Sequence, residues 1–213
     1  MIPTIAPYAI PAPPREGPAP WRADPARSVL LIHDMQRYFV DRFPPQHSPG
    51  RELLANVAAL RAACLARGVP IRYTAQPGRM SRADRGLLHD VWGPGMTDDE
   101  ESRGIVPALA PASPSLVVTK YRYSAFHRTD LASTMRALSR DQLIVCGVFA
   151  HLGCLLTACD AYAHDIEPFL VSDAMADFTP EDHAMALDFA SRSCAATPTT
   201  ARVLAWLSGT GSR

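Results

Sequence analysis

The stretch Ser28-Val-Leu-Leu-Ile-His33, closed by Asp34, is a short unbroken apolar run set between Pro25 and a polar cluster. A run this apolar and this short reads as a strand buried on both faces, the kind that parallel sheets contain. Outward from it the pattern repeats. Residues 50–67 place Leu53, Leu54, Val57, Leu60 and Leu65 at helical spacing, with Gly68 as the stop. Residues 69–75, 115–120, 142–147 and 167–172 read as four further strands, and a short one at 195–198 makes six. Helices are expected over residues 152–164, 180–192 and 199–207. This alternation predicts an α/β protein: a three-layer αβα sandwich around a mostly parallel, six-stranded, doubly wound sheet. Ligands of such sheets bind in the crevice beyond the carboxyl ends of the strands. Asp34 follows the first strand, Gln76 the second, Lys120 ends the third, and the Phe149–Gly153 turn follows the fourth. An acid, an amide and a cation thus converge on one rim.

The composition sets the outer bounds. The 213 residues carry 21 basic and 21 acidic side chains, so the formal net charge is zero. That excludes a polycationic nucleic-acid surface or a basic membrane face as the main theme. No apolar run approaches the roughly 20 residues of a membrane span. Five cysteines (Cys64, Cys146, Cys154, Cys159 and Cys194) are scattered without CxxC spacing, the pattern of a reduced, cytoplasmic protein. Eight of the 20 prolines fall in the first 25 residues, which lack the basic-then-apolar order of a secretory signal. Residues 1–27 therefore read as a proline-rich, extended arm, and residues 28–213 as the domain. Tyr8, Ile10 and Trp21 are the arm's candidate docking side chains.

Each rim residue admits two readings. Asp34, half-desolvated after a buried strand, suits a carboxyl of raised pKa acting as general acid or base; equally, it suits a cap for Met35–Val40. Lys120 either pairs with a buried carboxylate or snorkels to water. Gln76 and Arg85 frame a turn-rich loop anchored by Trp92, of a length that often closes over a site. A guanidinium there suits a substrate carboxylate, but chemistry alone does not choose Arg85 over Arg79 or Arg82. His33 and His151 read as hydrogen-bonded structural residues. The seven histidines form no metal motif. Dinucleotide, P-loop and GxSxG signatures are absent. Cys154 opens a helix, where the dipole favours a thiolate, although a buried inert thiol is the commoner outcome.

The segments LLIHDMQRYF (30–39), YTAQPG (73–78), DRGLLHDVWGPGM (84–96), KYRYSAF (120–126), GVFAHLGCLLTACDAY (147–162) and FLVSDAMADF (169–178) together resemble the isochorismatase family of the cysteine-hydrolase-like superfamily. They run in family order across nearly the whole chain. Amidohydrolases of that superfamily use Asp, Lys and a Cys in a GVxTxxC motif. Here the nucleophile position is Gly153, and Cys154 comes one residue later, turned by about 100° on a helix. The resemblance therefore implies vinyl-ether hydrolysis without metal, cofactor or covalent intermediate. Asp34 would protonate the methylene carbon of an enolpyruvyl ether, with Lys120 orienting it and stabilising its conjugate base. Gln76 and Arg85 would hold carboxylate and hydroxyl groups, backbone N–H groups around Phe149 and Gly153 a carboxylate, and Trp92, Tyr123 and Tyr38 the ring. Phe149 departs from the usual Tyr, and Tyr121 from the usual Trp. The chain's end at residue 213 leaves no room for an aryl carrier domain, which leans towards a phenazine-type enzyme acting on 2-amino-2-deoxyisochorismate; isochorismate is the other candidate. A homodimer acting on a small-molecule substrate, with no nucleic-acid or membrane partner, is expected. Two alternatives stay open: a thiol-dependent amide hydrolase using Cys154, and a non-catalytic protein that keeps the pocket.

Overall fold

A computed structural model describes residues 2–210. Its sheet contains β1 (Ser28–His33), β2 (Ile71–Ala75), β3 (Val117–Thr119), β4 (Gln142–Val148) and β5 (Glu167–Ala176), in the order β3-β2-β1-β4-β5 with all neighbours parallel. The helices are α1 (Arg37–Val40), α2 (Gly50–Ala66), α3 (Arg82–Arg85), α4 (Leu88–Trp92), α5 (Glu100–Arg103), α6 (Leu131–Ala137), α7 (Leu155–Ala163), α8 (Pro180–Ser193) and α9 (Thr200–Ser208).

The two-residue period of the central strands sorts their side chains into two cores. Leu30 and Ile32 of β1, with Ile144, Cys146 and Val148 of β4, pack on one face against Leu53, Val57 and Leu60 of α2 and Val203 and Leu207 of α9. Val29 and Leu31, with Leu143 and Val145, face the other way onto Leu131 and Met135 of α6, Ala158 of α7 and Leu187 of α8. Two apolar faces on one sheet make the three-layer αβα arrangement. β1 is buried along its whole length, as an inner strand covered by helices on both sides must be.

The sheet has five strands, not six. Residues 195–198 do run beside β5: Leu170 N–H donates to Ala196 O, Ala196 N–H to Pro168 O, and Ser172 N–H to Pro198 O. The pairing amounts to an isolated bridge, Phe169 to Ala196, because Pro198 has no N–H with which to continue a ladder. The third strand is shorter than expected, since Pro114 turns residues 114–116 into a 3₁₀ helix first. The fifth runs four residues beyond Ser172, through a register shift opposite residues 145–147. The helix expected from Leu152 opens instead as a five-residue π turn, Ala150–Cys154, before α7. That wider turn follows β4 after the single residue Phe149, at the carboxyl end of the strand.

The strand order reverses between β1 and β4, so the topological switch point lies at their carboxyl ends. There His33 pairs with Gly147. Gly147 has φ 118°, and a Cβ on it would lie 2.1 Å from His33 O. Only glycine lets the two strands close up at this point. Residues 2–27 carry neither helix nor strand. Ile2, Ile5 and Ala23 are nonetheless buried in the first core, with Tyr8 and Trp21 packed against it.

Candidate active site

Asp34 leaves β1 with φ 49°, a left-handed conformation that aspartate adopts more readily than most residues. Its N–H donates to Thr74 Oγ1 at 3.0 Å, and the Thr74 hydroxyl donates back to Oδ1 at 2.6 Å. The second oxygen, Oδ2, accepts Lys120 Nζ at 2.7 Å and Gln76 Nε2 at 3.3 Å. Lys120 Nζ also donates to Arg122 O at 3.0 Å. Asp34 is 4% exposed and Lys120 1%, so this is a buried ion pair rather than a surface one. Lys120 does not snorkel.

The electrostatics reverse one expectation. Burial alone pushes the Asp34 carboxyl up, yet the Lys120 ammonium, helped by His33 and the Thr74 hydroxyl, outweighs it and holds the group below the usual carboxylate range. Burial was expected to decide the direction; the cation does. The resting site therefore contains a carboxylate.

Gln76 is itself held. Its N–H donates to Gln36 Oε1 at 2.8 Å, while Gln36 Nε2 donates to Gln76 O at 3.0 Å and Arg103 O at 2.8 Å. The Gln76 side-chain oxygen accepts Arg85 Nη1 at 3.1 Å, and Arg85 Nε donates to Gly93 O at 3.1 Å. Arg85, only 6% exposed, has no carboxylate partner among the described residues. Burial lowers its pKa, but a guanidinium stays cationic. The structure thus separates Arg85 from its neighbours: Arg79 pairs with Asp98 and Arg82 with Asp90, both on the exposed surface.

These groups line one cleft with Tyr38, Trp92, Tyr123, Phe149, Gly153, Phe178 and Ile2 among others, enclosing about 570 Å³ including its open mouth. All nine site residues expected from the sequence line it. Phe178 stacks on Phe149, centroids 4.2 Å apart, and on Trp92 at 5.6 Å. Trp92 Nε1–H donates to Tyr123 Oη at 2.6 Å, which ties together two of the cleft's lining residues. The Val148–Phe149 peptide is cis.

Cys154 does not line the cleft; it is buried in the second core, and burial raises its thiol well above the ordinary range. The nucleophile position, Gly153, has no room for a side chain, because a Cβ there would lie 2.1 Å from His33 Cε1. His33 fills that space. Its Nδ1–H donates to Val148 O at 2.8 Å, and burial lowers its pKa to about 4, so the ring is neutral. His151, Asp177 and Asp182 bring possible metal-ligand atoms within 4.8 Å of one another. Asp177, however, already accepts the His151 N–H at 2.6 Å, His151 Nδ1 at 2.8 Å and the Phe178 N–H at 2.8 Å, and Asp182 accepts the Thr179 hydroxyl. The cluster is satisfied as a hydrogen-bond network.

Sequence reasoning missed Thr74, Gln36 and Asp177, the residues that hold the site residues in place. Thr74 had one legible signal, a hydroxyl inside a buried strand, where it needs a partner.

The sequence model of the isochorismatase domain matches residues 28–202. The isochorismatase of Bacillus subtilis is 49% identical over 205 residues, covering 95% of this chain but only 66% of that protein. The phenazine biosynthesis protein PhzD1 of Pseudomonas aeruginosa is also 49% identical over 205 residues, covering 95% of this chain and 98% of that one. The structure of an isochorismatase family protein from Burkholderia thailandensis superposes with a TM-score of 0.74 at 27% identity, covering 88% of this chain and 98% of that chain. With the family's segments in order, glycine at the thiol position and this degree of likeness, the chain belongs to the isochorismatase family.

Proposed function

We propose that the protein hydrolyses the enolpyruvyl ether of an isochorismate-type substrate, isochorismate or its 2-amino-2-deoxy analogue, to pyruvate and the ring dihydrodiol or its amino counterpart. The observation that carries this reading is a buried carboxylate–ammonium pair, Asp34–Lys120, beside a second buried cation, Arg85, that lacks an acidic partner among the described residues. Such a site is short of one anion, and a substrate carboxylate supplies it. The names of the relatives give the substrate class.

In this mechanism the substrate carboxylate takes up Lys120 and Arg85, Gln76 bridges Arg85 and Asp34, and Tyr38, Trp92, Tyr123 and Phe149 enclose the ring. Bringing an anion against Asp34 while sharing its cation raises the carboxyl's pKa, so the group binds a proton as the complex forms. The acid then gives that proton to the terminal methylene carbon, leaving an oxocarbenium ion. Water adds to the cation and returns a proton to the Asp34 carboxylate. The hemiketal collapses to pyruvate and the ring alcohol. Protonating carbon is slow in solution, so placing the acid against that atom supplies much of the rate. Phe149 lacks the hydroxyl of the usual Tyr, leaving only backbone groups at that position for the carboxylate.

A resting pKa below the usual range gives this reading a pH signature. Free Asp34 is ionised across the neutral range while the reactive complex is protonated, so kcat/KM falls as pH rises, by about tenfold per unit. The measurement is pyruvate release, coupled to lactate dehydrogenase, from isochorismate and from 2-amino-2-deoxyisochorismate at a series of pH values across the neutral range. Release from neither substrate sinks the proposed function. A flat profile sinks proton uptake by Asp34.

We also read the chain as a cytoplasmic homodimer. Five free cysteines fit a reducing compartment. Leu156 of α7 and Met185 and Phe189 of α8, two helices that pack together, leave apolar surface exposed. A light-scattering mass of twice the chain's 23.1 kDa is expected; the monomer mass would refute it.

A further inference from the structure

The arm reaches the cleft. Ile2 lines it together with Leu88, Trp92 and Met96, although these residues lie far away along the chain. The arm is fastened there by main-chain bonds: Ile5 N–H donates to Arg42 O at 2.9 Å and Tyr8 N–H to Ser48 O at 3.0 Å. The Tyr8 phenol fastens it as well. His183 Nε2–H donates to the main-chain carbonyl of Ser172, on β5, at 3.1 Å, so Nδ1 is left as the acceptor. The Tyr8 hydroxyl donates to that Nδ1 at 3.3 Å and accepts the main-chain N–H of Asp177 at 2.7 Å.

Asp177 is the next link. Both its oxygens accept from His151 of the site's turn, Oδ2 from the His151 N–H and Oδ1 from His151 Nδ1, and Oδ1 also accepts the N–H of the adjacent Phe178. His151 stands midway between Phe149 and Gly153, and Phe178 is the ring stacked on Phe149. A continuous set of hydrogen bonds therefore runs from the arm through Asp177 to the turn that borders the substrate cleft.

We propose, on the basis of the function proposed above, that the N-terminal arm is a working wall of the site: Ile2 sets the shape of its apolar side, and Tyr8 is a positioning residue for the 149–153 turn. Without the phenol, the buried Asp177 N–H has no acceptor, and the segment carrying the carboxylate shifts to find one. The turn moves with it. The backbone groups of that turn are the ones proposed to hold a substrate carboxylate, and weakening a contact made equally in the ground and transition states raises KM with kcat unchanged.

Two variants of the full chain test the proposal. Tyr8→Phe keeps the ring and removes only the hydroxyl. In hydrogen–deuterium exchange, faster exchange is expected in residues 149–154 and 177–178, with β1 and β4 unchanged. With isochorismate, KM is expected to rise roughly tenfold while kcat changes less than about twofold. Ile2→Ala, close to the chain's start, is expected to raise KM roughly tenfold without altering exchange in the turn. Unchanged exchange at 149–154 in Tyr8→Phe overturns the positioning role, and so does acceleration spread through the whole sheet. An unchanged KM in Ile2→Ala overturns the wall. The exchange experiment needs no substrate, so a protein that releases no pyruvate from isochorismate would defeat the functional reading, while the exchange rates would still decide the Tyr8 linkage.

Discussion

Asp34→Asn is expected to lower kcat for pyruvate release by at least about 10³-fold while leaving the fold in place. Asparagine matches the shape of aspartate and can still accept the Thr74 hydroxyl, which now lies 2.6 Å from Oδ1. What it cannot do is give a proton to carbon. Its effect on binding has the opposite sign to its effect on turnover. In the native site the Asp34 carboxylate competes for the Lys120 ammonium, at 2.7 Å, with any substrate carboxylate that enters. Removing that competitor frees the cation, so KM is expected to hold or fall even as kcat collapses. Steady-state kinetics separate the two, and circular dichroism checks the fold. A variant with the native kcat would sink the general-acid role. One that loses kcat and raises KM together would point to a positioning defect instead.

The sequence made the rim of the site readable because each of its main groups stands at a strand end. Once Ser28–His33 reads as a buried parallel strand, Asp34, Gln76, Lys120 and the 149–153 turn follow from topology. The residues that hold them were not readable in the same way. Thr74 lies within β2, Gln36 precedes α1, and Asp177 follows β5; each acts through a partner 26 or 40 residues away, and no local pattern encodes such pairs. The sign of the Asp34 shift was hidden for a related reason. Burial is a property of the run itself, whereas the opposing cation comes from the end of the third strand, and only its 2.7 Å distance decides which effect wins. The sixth strand failed on a single residue, Pro198. The GVxTxxC comparison placed glycine where a thiol would stand, but the reason there is no room for a side chain, the His33 ring, emerges only when β1 and β4 are brought side by side.

Lys120→Met is the harsher change, and its effect on stability should depend on pH in a direction opposite to that of the native pair. In the native protein Asp34 titrates below its unfolded value. Its contribution is fully present above the unfolded pKa, near 3.9, and is lost as pH falls through the folded one. Methionine fills much of the same space but leaves the carboxylate buried without its cation. Burial, already the largest single influence on Asp34, then dominates and drives the pKa above the ordinary range. A group with a raised folded pKa favours the fold below the unfolded pKa and loses that contribution as pH rises through the raised value. Breaking a buried pair typically costs about 3–5 kcal/mol, and here that cost should be largest near pH ~7.5 and smaller near pH ~5, where Asp34 can take up a proton. Urea unfolding of both proteins at the two pH values measures the difference; an equal loss at both would mean that the Asp34–Lys120 pair does not control the titration. The same variant tests the chemistry. Its acid is protonated at rest, so the fall of kcat/KM with pH should flatten below the raised pKa. Its anion site has lost a cation, so kcat/KM itself should drop by at least about 10²-fold. A flattened profile at much reduced efficiency requires Lys120 to do two separate things, keep Asp34 ionised in the empty site and hold the anion whose arrival makes Asp34 an acid.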